Sequence, residues 1–393
     1  MPRGGIPPEV ADEILYLVQD DTKTLLSCCR ASKGLCARAQ PILYRRLDIF
    51  WLSDRITTPF CLDRASGQLL DTLYTRPAIA SMCTDLRIWW REKAPGDLLR
   101  LRTEPTVEAI RELFECLPNL SRFQLGWACH RHRLAGTQLE RSVVEVLQAW
   151  TGWPDLRILI VPRLHDGLLR FVIGRPELVD LRATTAKAEH ALPAGIVPPF
   201  RLRRLEVGHQ LQNHIFRIGT STSQETLQRL TVPFDTDLSV ELEPFHNLRH
   251  LCLEFSSYRE HNLGECHEWL ERIKAFMKAD SRISTLAFSH ARDSPRSNRI
   301  RTVRSALPRN LETLILYPWP MLAEDALKCI EVGMSQQNLW PSSLRKIVWT
   351  PESTDGSWTE EEIQLVRDKC LEHGIADVYF PRFPDWCTGD EDY

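Results

Sequence analysis

The sequence predicts an α/β protein in which a short helical unit is followed by a long, irregular array of strands and helices. Two patterns carry this prediction: apolar residues at helical spacing near the start, and an apolar-x-x-apolar-x-apolar motif that recurs twelve times from residue 44 onward. Composition is the third observation, because 43% hydrophobic and 26% charged residues allow a sizeable buried core. We expect two domains, residues 4–43 and residues 44–393.

The first pattern predicts three short helices. Pro7 and Pro8 suit a first helical turn, because a missing N–H costs no hydrogen bond there. The apolar residues that share one face of this first helix are Val10, Ile14, Leu17 and Val18. Asp and Thr residues in "QDDTKT" are candidate caps of a second helix. Ser32 is a candidate cap of a third, which we expect to end at Pro41.

These three helices resemble an F-box, chiefly the form common in fungi. The resemblance rests on "IPPEVADEIL", "DDTKTLLSC" and "ASKGLCARAQPILYR", which together span residues 6–45. It implies that apolar residues of this unit dock on a Skp-family adaptor. The adaptor-binding residues would be Ile6, Pro7, Val10, Ile14, Leu15, Val18, Leu25, Leu26, Ala31 and Leu35.

An alternative is that residues 6–43 only cap the array that follows, since the ends of repeat arrays require a covering element. Two departures from the F-box pattern favour this alternative. Arg30 stands where the family usually has an apolar residue, and Leu35 stands where it often has Trp.

The second pattern predicts twelve strands, because apolar residues alternate in each copy as in a strand buried on one face. The copies begin at residues 44, 83, 120, 156, 178, 202, 227, 248, 283, 311, 344 and 375. The four middle spacings, of 21 to 25 residues, fit a leucine-rich repeat. The other spacings are longer, and several of them contain helical stripes, at 107–114, 143–150, 269–276 and 363–370. The last stripe follows a capping box formed by Thr359 and Glu362.

Strand followed by helix, repeated in this way, predicts an irregular, right-handed leucine-rich-repeat-like αβ solenoid. An F-box followed by such repeats is itself a known family architecture, so the resemblance extends over most of the chain. Residues 351–393 hold 12 Asp and Glu against 3 Lys and Arg, and we expect them to form a solvated acidic cap at the end of the solenoid.

Composition also limits the function. A net charge of −3 argues against general binding to nucleic acid or to a membrane surface. No apolar run approaches the roughly 20 residues of a membrane span, and the start lacks the apolar segment of a secretory signal. We therefore expect an intracellular protein, cytoplasmic or nuclear. The twelve cysteines are scattered, so we expect free thiols in a reducing compartment.

Catalytic motifs are not recognisable, since the sequence has no Gly-rich phosphate loop, no G-x-S-x-G and no H-E-x-x-H. We expect no enzymatic activity and no cofactor, although an enzyme without a known motif stays possible in principle. The segments "WACHRHR" and "ECHEWLE" bring Cys and His together. They lack the spaced second pair of a zinc site, so we expect no metal site.

The strand face opposite the core carries recurring arginines interleaved with acids. One interpretation is an ordinary solvated surface with cross-strand pairing. The other is a recognition surface, because arginine binds carboxylate and phosphate groups bidentately. The most continuous row, and the candidate target-binding set, is Arg182, Arg204, Arg229 and His250. Asp180 and Glu206 could neutralise this row by pairing with it.

The resemblance implies a substrate receptor of an SCF-type ubiquitin ligase. The F-box would bind a Skp-family adaptor and through it the cullin complex, and the solenoid would hold an unknown target protein. Catalysis would then belong to other subunits, which agrees with the lack of catalytic motifs. The alternative function is an interaction scaffold without a ubiquitin role.

Overall fold

A computed structural model of the chain shows mixed α/β architecture. The chain forms two compact units, Met1–Ala183 and Thr184–Tyr393. The residues that the structure describes are 6–53, 61–92, 104–127, 138–186, 197–209, 216, 219–234, 245–255, 282–290, 307–308, 310–319, 327, 330, 341–351 and 358–380.

The described part of the first unit contains eight helices and a mostly parallel sheet. Its described helices are α1 (Pro8–Leu17), α2 (Thr22–Ala31), α3 (Lys33–Leu43), α4 (Arg64–Thr75), α5 (Pro77–Ala80), α6 (Val107–Cys116), α7 (Gln138–Ala149) and α8 (Asp166–Ile173). Its described strands are β1 (Arg46–Ser53), β2 (Cys61–Leu62), β3 (Asp85–Glu92), β4 (Arg122–Trp127), β5 (Ile158–Leu164) and β6 (Asp180–Ala186). The sheet order is β6-β5-β4-β3-β1-β2. Strands β1, β3, β4 and β5 pair in parallel, and β2 pairs antiparallel with the outer edge of β1.

The second unit continues the alternation of strand and connection. Its described elements are β7 (Arg204–His209), β8 (Arg229–Phe234), β9 (His250–Phe255), β10 (Thr285–His290), β11 (Thr313–Trp319), β12 (Lys346–Pro351), α9 (Glu360–Glu372) and β13 (Asp377–Tyr379). These seven strands lie side by side in chain order and pair in parallel. Each of the twelve predicted strand motifs overlaps one of β1 and β3–β13, whereas β2, α4, α5 and α8 were not predicted.

The core of each unit is a row of apolar side chains at equivalent motif positions. Neighbouring members are register partners, and each is at most 3% exposed. The row of the first unit is Leu47, Leu86, Phe123 and Leu159. The row of the second unit is Leu205, Leu230, Leu251, Leu286, Leu314 and Ile347. Since a parallel sheet must be covered on its apolar face, this row is what the connecting helices have to bury.

Helices α1–α3 form a small helical unit with its own core. Leu15, Leu25 and Ala39 are buried there, and the side chains that pack around them are Val18, Cys28, Cys29, Ile42 and Leu43. The predicted cap at Ser32 is confirmed, because its hydroxyl accepts the N–H of Leu35 at 3.1 Å. Asp21 caps α2 in the same way, accepting from the N–H groups of residues 23 and 24.

The prediction that α3 ends at Pro41 is wrong. The helix continues to Leu43, and the N–H of Tyr44 still donates to the carbonyl of Gln40 at 2.9 Å. Proline lacks one N–H and therefore removes one helical hydrogen bond. In the last turn that loss is small compared with the packing of Ile42 and Leu43 against the helical core.

A buried arginine holds the turn that follows α7. Trp153 has a positive φ of 59°, a conformation that strains a bulky side chain. Its indole Nε1 donates to the carbonyl of Leu117 at 2.7 Å, and its ring lies against Phe114. The guanidinium of Arg175 donates to the carbonyls of Trp150, at 2.6 Å, and of Trp153, at 3.4 Å. These contacts fix the approach of the chain to β5.

The end of the second unit is defined by local signals at both ends of α9. The predicted capping box is confirmed, since Thr359 and Glu362 each accept a backbone N–H of the other. At the C-terminus, Gly374 adopts a φ of 79°, and the N–H groups of Gly374 and Ile375 return to the carbonyls of Leu371 and Cys370. This arrangement is a Schellman motif, and it turns the chain directly into β13.

We predict that Arg175→Ala destabilises the protein by about 2–4 kcal/mol, because it leaves buried carbonyl acceptors of the turn without a donor. The loss should appear as a lower midpoint of urea denaturation. Arg170→Ala is the matched control, because Arg170 lies on α8, the helix that directly precedes Arg175, and its side chain is exposed. Equal midpoints for the two variants would show that Arg175 does not stabilise this turn.

Candidate interaction surfaces

The first helix exposes an apolar stripe to solvent. Val10, Ile14 and Leu17 lie at spacings of four and three residues, which places them on one helical face. Their side chains are 44%, 45% and 77% exposed. Ile6, just before the helix, is also exposed. We call Ile6, Val10, Ile14 and Leu17 the α1 stripe. Burying a fully exposed side chain of this kind contributes roughly 1.5–3 kcal/mol, so burying the half-exposed Val10 and Ile14 would contribute roughly half as much each.

The predicted adaptor-binding residues divide into two groups in the structure. The exposed ones are Ile6, Pro7, Val10, Ile14, Leu26 and Ala31. Val18 and Leu35 are half-buried, and Leu15 and Leu25 are each only 1% exposed because they form the helical core. Leu15 and Leu25 therefore support the surface without facing a partner. Leu17 is a missed member of the surface, although its spacing from Val10 and Ile14 was visible in the sequence.

Helix α1 is held so that this stripe faces outward. On one side, Ala11 and Leu15 turn inward and are buried. On another, Arg38 of α3 donates to both carboxylate oxygens of Asp12 at 2.5 Å, and this hydrogen bond raises the pKa of Arg38. The α1 stripe lies away from the buried side and stays exposed, next to Glu13 and Tyr16, which are also exposed.

The strand face opposite the core carries charged pairs within single strands. Residues i and i+2 of a strand point to the same face. In the described strands such pairs join Arg46 to Asp48, Arg87 to Asp85, Arg182 to Asp180 and Arg204 to Glu206, with closest N–O distances of 3.0, 3.0, 2.7 and 2.5 Å. We call these the in-strand pairs. The sequence signal for them was present as Arg-x-Asp, Asp-x-Arg and Arg-x-Glu. Pairing across strands, which one interpretation of this face expected, also occurs, between Arg122 of β4 and Asp85 of β3 at 3.7 Å.

Several members of the in-strand pairs are buried. Arg87 is 3% exposed, and Asp180 and Arg182 are each 8% exposed. Breaking a buried pair leaves one charge without compensation, which costs several kcal/mol. Arg182, the first residue of the predicted target-binding row, is therefore occupied by Asp180 in the first unit, and Arg204 is occupied by Glu206 in the second unit.

The other two residues of that row lie beside Arg204 in the second unit. Arg204 is the register partner of Arg229, and Arg229 is the register partner of His250. The i+2 positions of β8 and β9 hold Thr231 and Cys252, so neither strand has the acid of an in-strand pair. The three predicted residues of this unit are thus brought together at the entry ends of β7, β8 and β9.

The electrostatic environment of His250 reflects these neighbours. Burial, together with the charges of Arg229, Arg204 and Arg249, lowers the pKa of His250 to about 4. The next strand contributes an uncharged register partner, Thr285. Positive potential therefore concentrates at this position, and the imidazole is neutral at neutral pH.

Signals of other kinds of site are weak in the residues that the structure describes. Within them, no three His, Cys, Asp or Glu side chains are grouped as a metal site would require, and no helix is long and apolar enough to cross a membrane. The eight described cysteines are free thiols. The remaining candidates for metal binding, Cys129, His130, His132, Cys266 and His267, lie outside the described residues.

We predict that His250 makes the protein less stable as the pH falls from 6.5 to 4. Its pKa in the folded state lies below that of an unfolded histidine, so the unfolded chain binds more protons in this window. His250→Gln should remove about 1–2 kcal/mol of the pH-dependent loss, after discounting for partial exposure of the ring. Urea denaturation at pH 7 and pH 5 measures the difference. His246→Gln, at an exposed histidine, is the control, and the same pH dependence in both variants would contradict the prediction.

No family model matches the sequence, and no curated protein matches it. Its function therefore has to be argued from its own residues, and the two surfaces described above, the α1 stripe and the arginine-rich entry ends of β7–β9, provide that argument.

Proposed function

We propose that this protein is a substrate receptor of an SCF-type ubiquitin ligase. In this proposal the helical unit is an F-box that docks on a Skp-family adaptor of a cullin complex, and the strand array is a leucine-rich-repeat-like solenoid that holds a target protein. The observation that carries the proposal is the α1 stripe, which stays exposed on a helical unit that already has its own buried core.

The energetics of the helical unit support docking. The core of Leu15, Leu25 and Ala39 is complete without any contribution from the α1 stripe. Apolar side chains that remain outside a finished core form a patch of the kind that marks protein-protein contacts. The docking surface would consist of the exposed adaptor-binding residues together with Leu17. Leu15 and Leu25 would act by fixing the helices on which those residues stand.

The strand array supports the second half of the proposal. Parallel strands in chain order present one residue from each strand at every level, which gives an extended and rigid binding face. The in-strand pairs neutralise much of that face. Within the predicted target-binding row, Arg229 and His250 have no acid at the i+2 positions of their strands, and Arg204 lies beside them.

An interaction scaffold without a ubiquitin role is the second candidate. Leu35, where an F-box often has Trp, is only half-buried at the start of α3, and Arg30 is exposed on α2. Both features would fit a helical unit that merely caps the array. Against this candidate, β2 already covers part of the outer edge of β1, through the pairs Trp51–Leu62 and Leu52–Cys61.

We predict that the double substitution of Val10→Asp and Ile14→Asp weakens binding to a purified Skp-family adaptor at least tenfold. The reason is that docking would bury two carboxylates in an apolar interface. Isothermal titration calorimetry measures the affinity. The matched control is Leu365→Asp with Leu371→Asp, two exposed leucines of α9. Unchanged adaptor affinity in the folded Val10/Ile14 variant would refute the docking role.

We predict that deletion of residues 1–43 leaves the remaining chain folded, with a Tm change below about 4 °C, the shift that about 1 kcal/mol produces in a domain of this size. The helical unit buries its own core, so its removal should not open the core of the sheet. Circular dichroism during heating measures the Tm. A larger fall in Tm, or loss of solubility, would instead favour the scaffold candidate, in which the helices act as a cap.

A further inference from the structure

We propose that the entry ends of β7, β8 and β9 form a binding site for an acidic polypeptide segment, whose Asp or Glu carboxylates pair with arginines of this chain. The site consists of Arg203, Arg204, Arg229, Arg249 and His250, which we call the β7–β9 cluster. The inference rests on the proposed receptor function only where it names the class of target; the binding itself is a property of this chain alone.

The backbone holds the β7–β9 cluster in a fixed arrangement. The carbonyl of Arg203 accepts the N–H groups of Gln228 and Arg229, at 2.8 and 3.0 Å, and the carbonyl of Gln228 accepts those of Arg249 and His250, both at 3.0 Å. Neighbouring strands lie about 4.8 Å apart. Arg204, Arg229 and His250 therefore follow one another at roughly that spacing across the three strands, and Arg203 and Arg249 immediately precede β7 and β9.

The charge of these residues is strongly one-sided. Residues 201–206, 228–231 and 247–252 contain five arginines, and Glu206 is their single acid. Glu206 pairs with Arg204. The side chains of Arg203 and Arg249 are exposed, and neither forms an ion pair with an acidic residue in the part of the chain that the structure describes. Exposed arginines without an acidic partner can donate to both oxygens of a carboxylate, in the bidentate geometry that the planar guanidinium favours.

The environment of His250 is an independent sign of the same potential. Arginines on three different strand entries, Arg204, Arg229 and Arg249, each disfavour a positive charge on the imidazole. The part of this effect that comes from the three arginines favours an anion at the same point, whereas burial disfavours a charge of either sign. The imidazole lies between β8 and the uncharged Thr285 of β10, where it can sense an anion bound to the neighbouring arginines.

The extent of the cluster favours a peptide over a nucleic acid. Beyond β9 the row continues with Thr285 and Thr313, and the residues that precede those two strands are Ser284 and Glu312. The positive surface of these entry ends is therefore only three strands wide. A phosphate backbone is bound through many contacts along an extended basic track, whereas a few carboxylates of a short acidic segment match three strands.

The binding test uses the full-length chain and a fluorescein-labelled peptide of six glutamates, followed by fluorescence anisotropy. We expect saturable binding, no binding of a six-glutamine peptide, and at least tenfold weaker binding for Arg249→Glu. The matched control is Arg345→Glu, which makes the same charge change at the exposed residue preceding β12 and should weaken binding less than twofold. An equal loss in both variants, or equal binding of the glutamine peptide, would overturn the proposal.

A second measurement needs no substitution. In the unaltered protein, NMR titration of His250 should show its pKa rising by about one unit or more when the glutamate peptide saturates the site, because the bound carboxylates offset the field of the arginines. An unchanged pKa would overturn the proposed location. Tighter, Arg249-dependent binding of a single-stranded RNA oligonucleotide would replace the acidic peptide by a nucleic acid. None of these readouts involves the α1 stripe, so they succeed or fail independently of adaptor docking.

Discussion

The structure depends on one repeated hydrogen-bonding arrangement at the start of each strand. The carbonyl of Arg45 accepts the N–H groups of both Thr84 and Asp85. The same two-to-one arrangement recurs at the carbonyls of Thr84, Ser121 and Arg157 in the first unit and of Arg203, Gln228, Arg249, Ser284 and Glu312 in the second. It fixes where each strand begins relative to the one before. Equivalent motif positions are therefore in register even though the spacing between successive motifs varies from 21 to 39 residues.

Register of this kind has opposite consequences for the two faces of a strand. On the inner face it stacks leucine on leucine, as with Leu205 and Leu230, and this builds the core. On the outer face it would stack charge on like charge at about 4.8 Å. The in-strand pairs relieve that repulsion where they occur, since an acid two residues away neutralises the arginine within its own strand, and Asp85 of β3 also pairs with Arg122 of the neighbouring β4. Strands β8 and β9 depart from this solution, because Thr231 and Cys252 occupy the positions of the acid.

The strands could be predicted because each copy of the motif carries three apolar residues that all enter the core. Elements without such a signal were missed: β2 has only two residues, and α8 has eight residues in the spacing between the motifs at 156 and 178, where no helical stripe was identified. The exposure of α1 was not predictable from periodicity. Ile14 and Leu15 are adjacent and equally apolar, yet one is 45% exposed and the other 1%. Only the positions of α2 and α3 decide which of the two is covered.

Each candidate surface consists of side chains that the fold itself does not need, apolar in one case and positively charged in the other. In the helical unit, the core is closed by Leu15, Leu25 and Ala39, so the α1 stripe is apolar surface in excess of what folding requires. At the entry ends of β7–β9, residues 201–206, 228–231 and 247–252 contain five arginines and one acid, so positive charge is in excess there, although Glu254 follows further along β9. Apolar contact tolerates changes of shape, which makes a leucine at position 35 compatible with docking. Charge recognition depends on fixed spacing, and the carbonyl arrangement at the strand entries supplies that spacing to the register partners Arg204, Arg229 and His250.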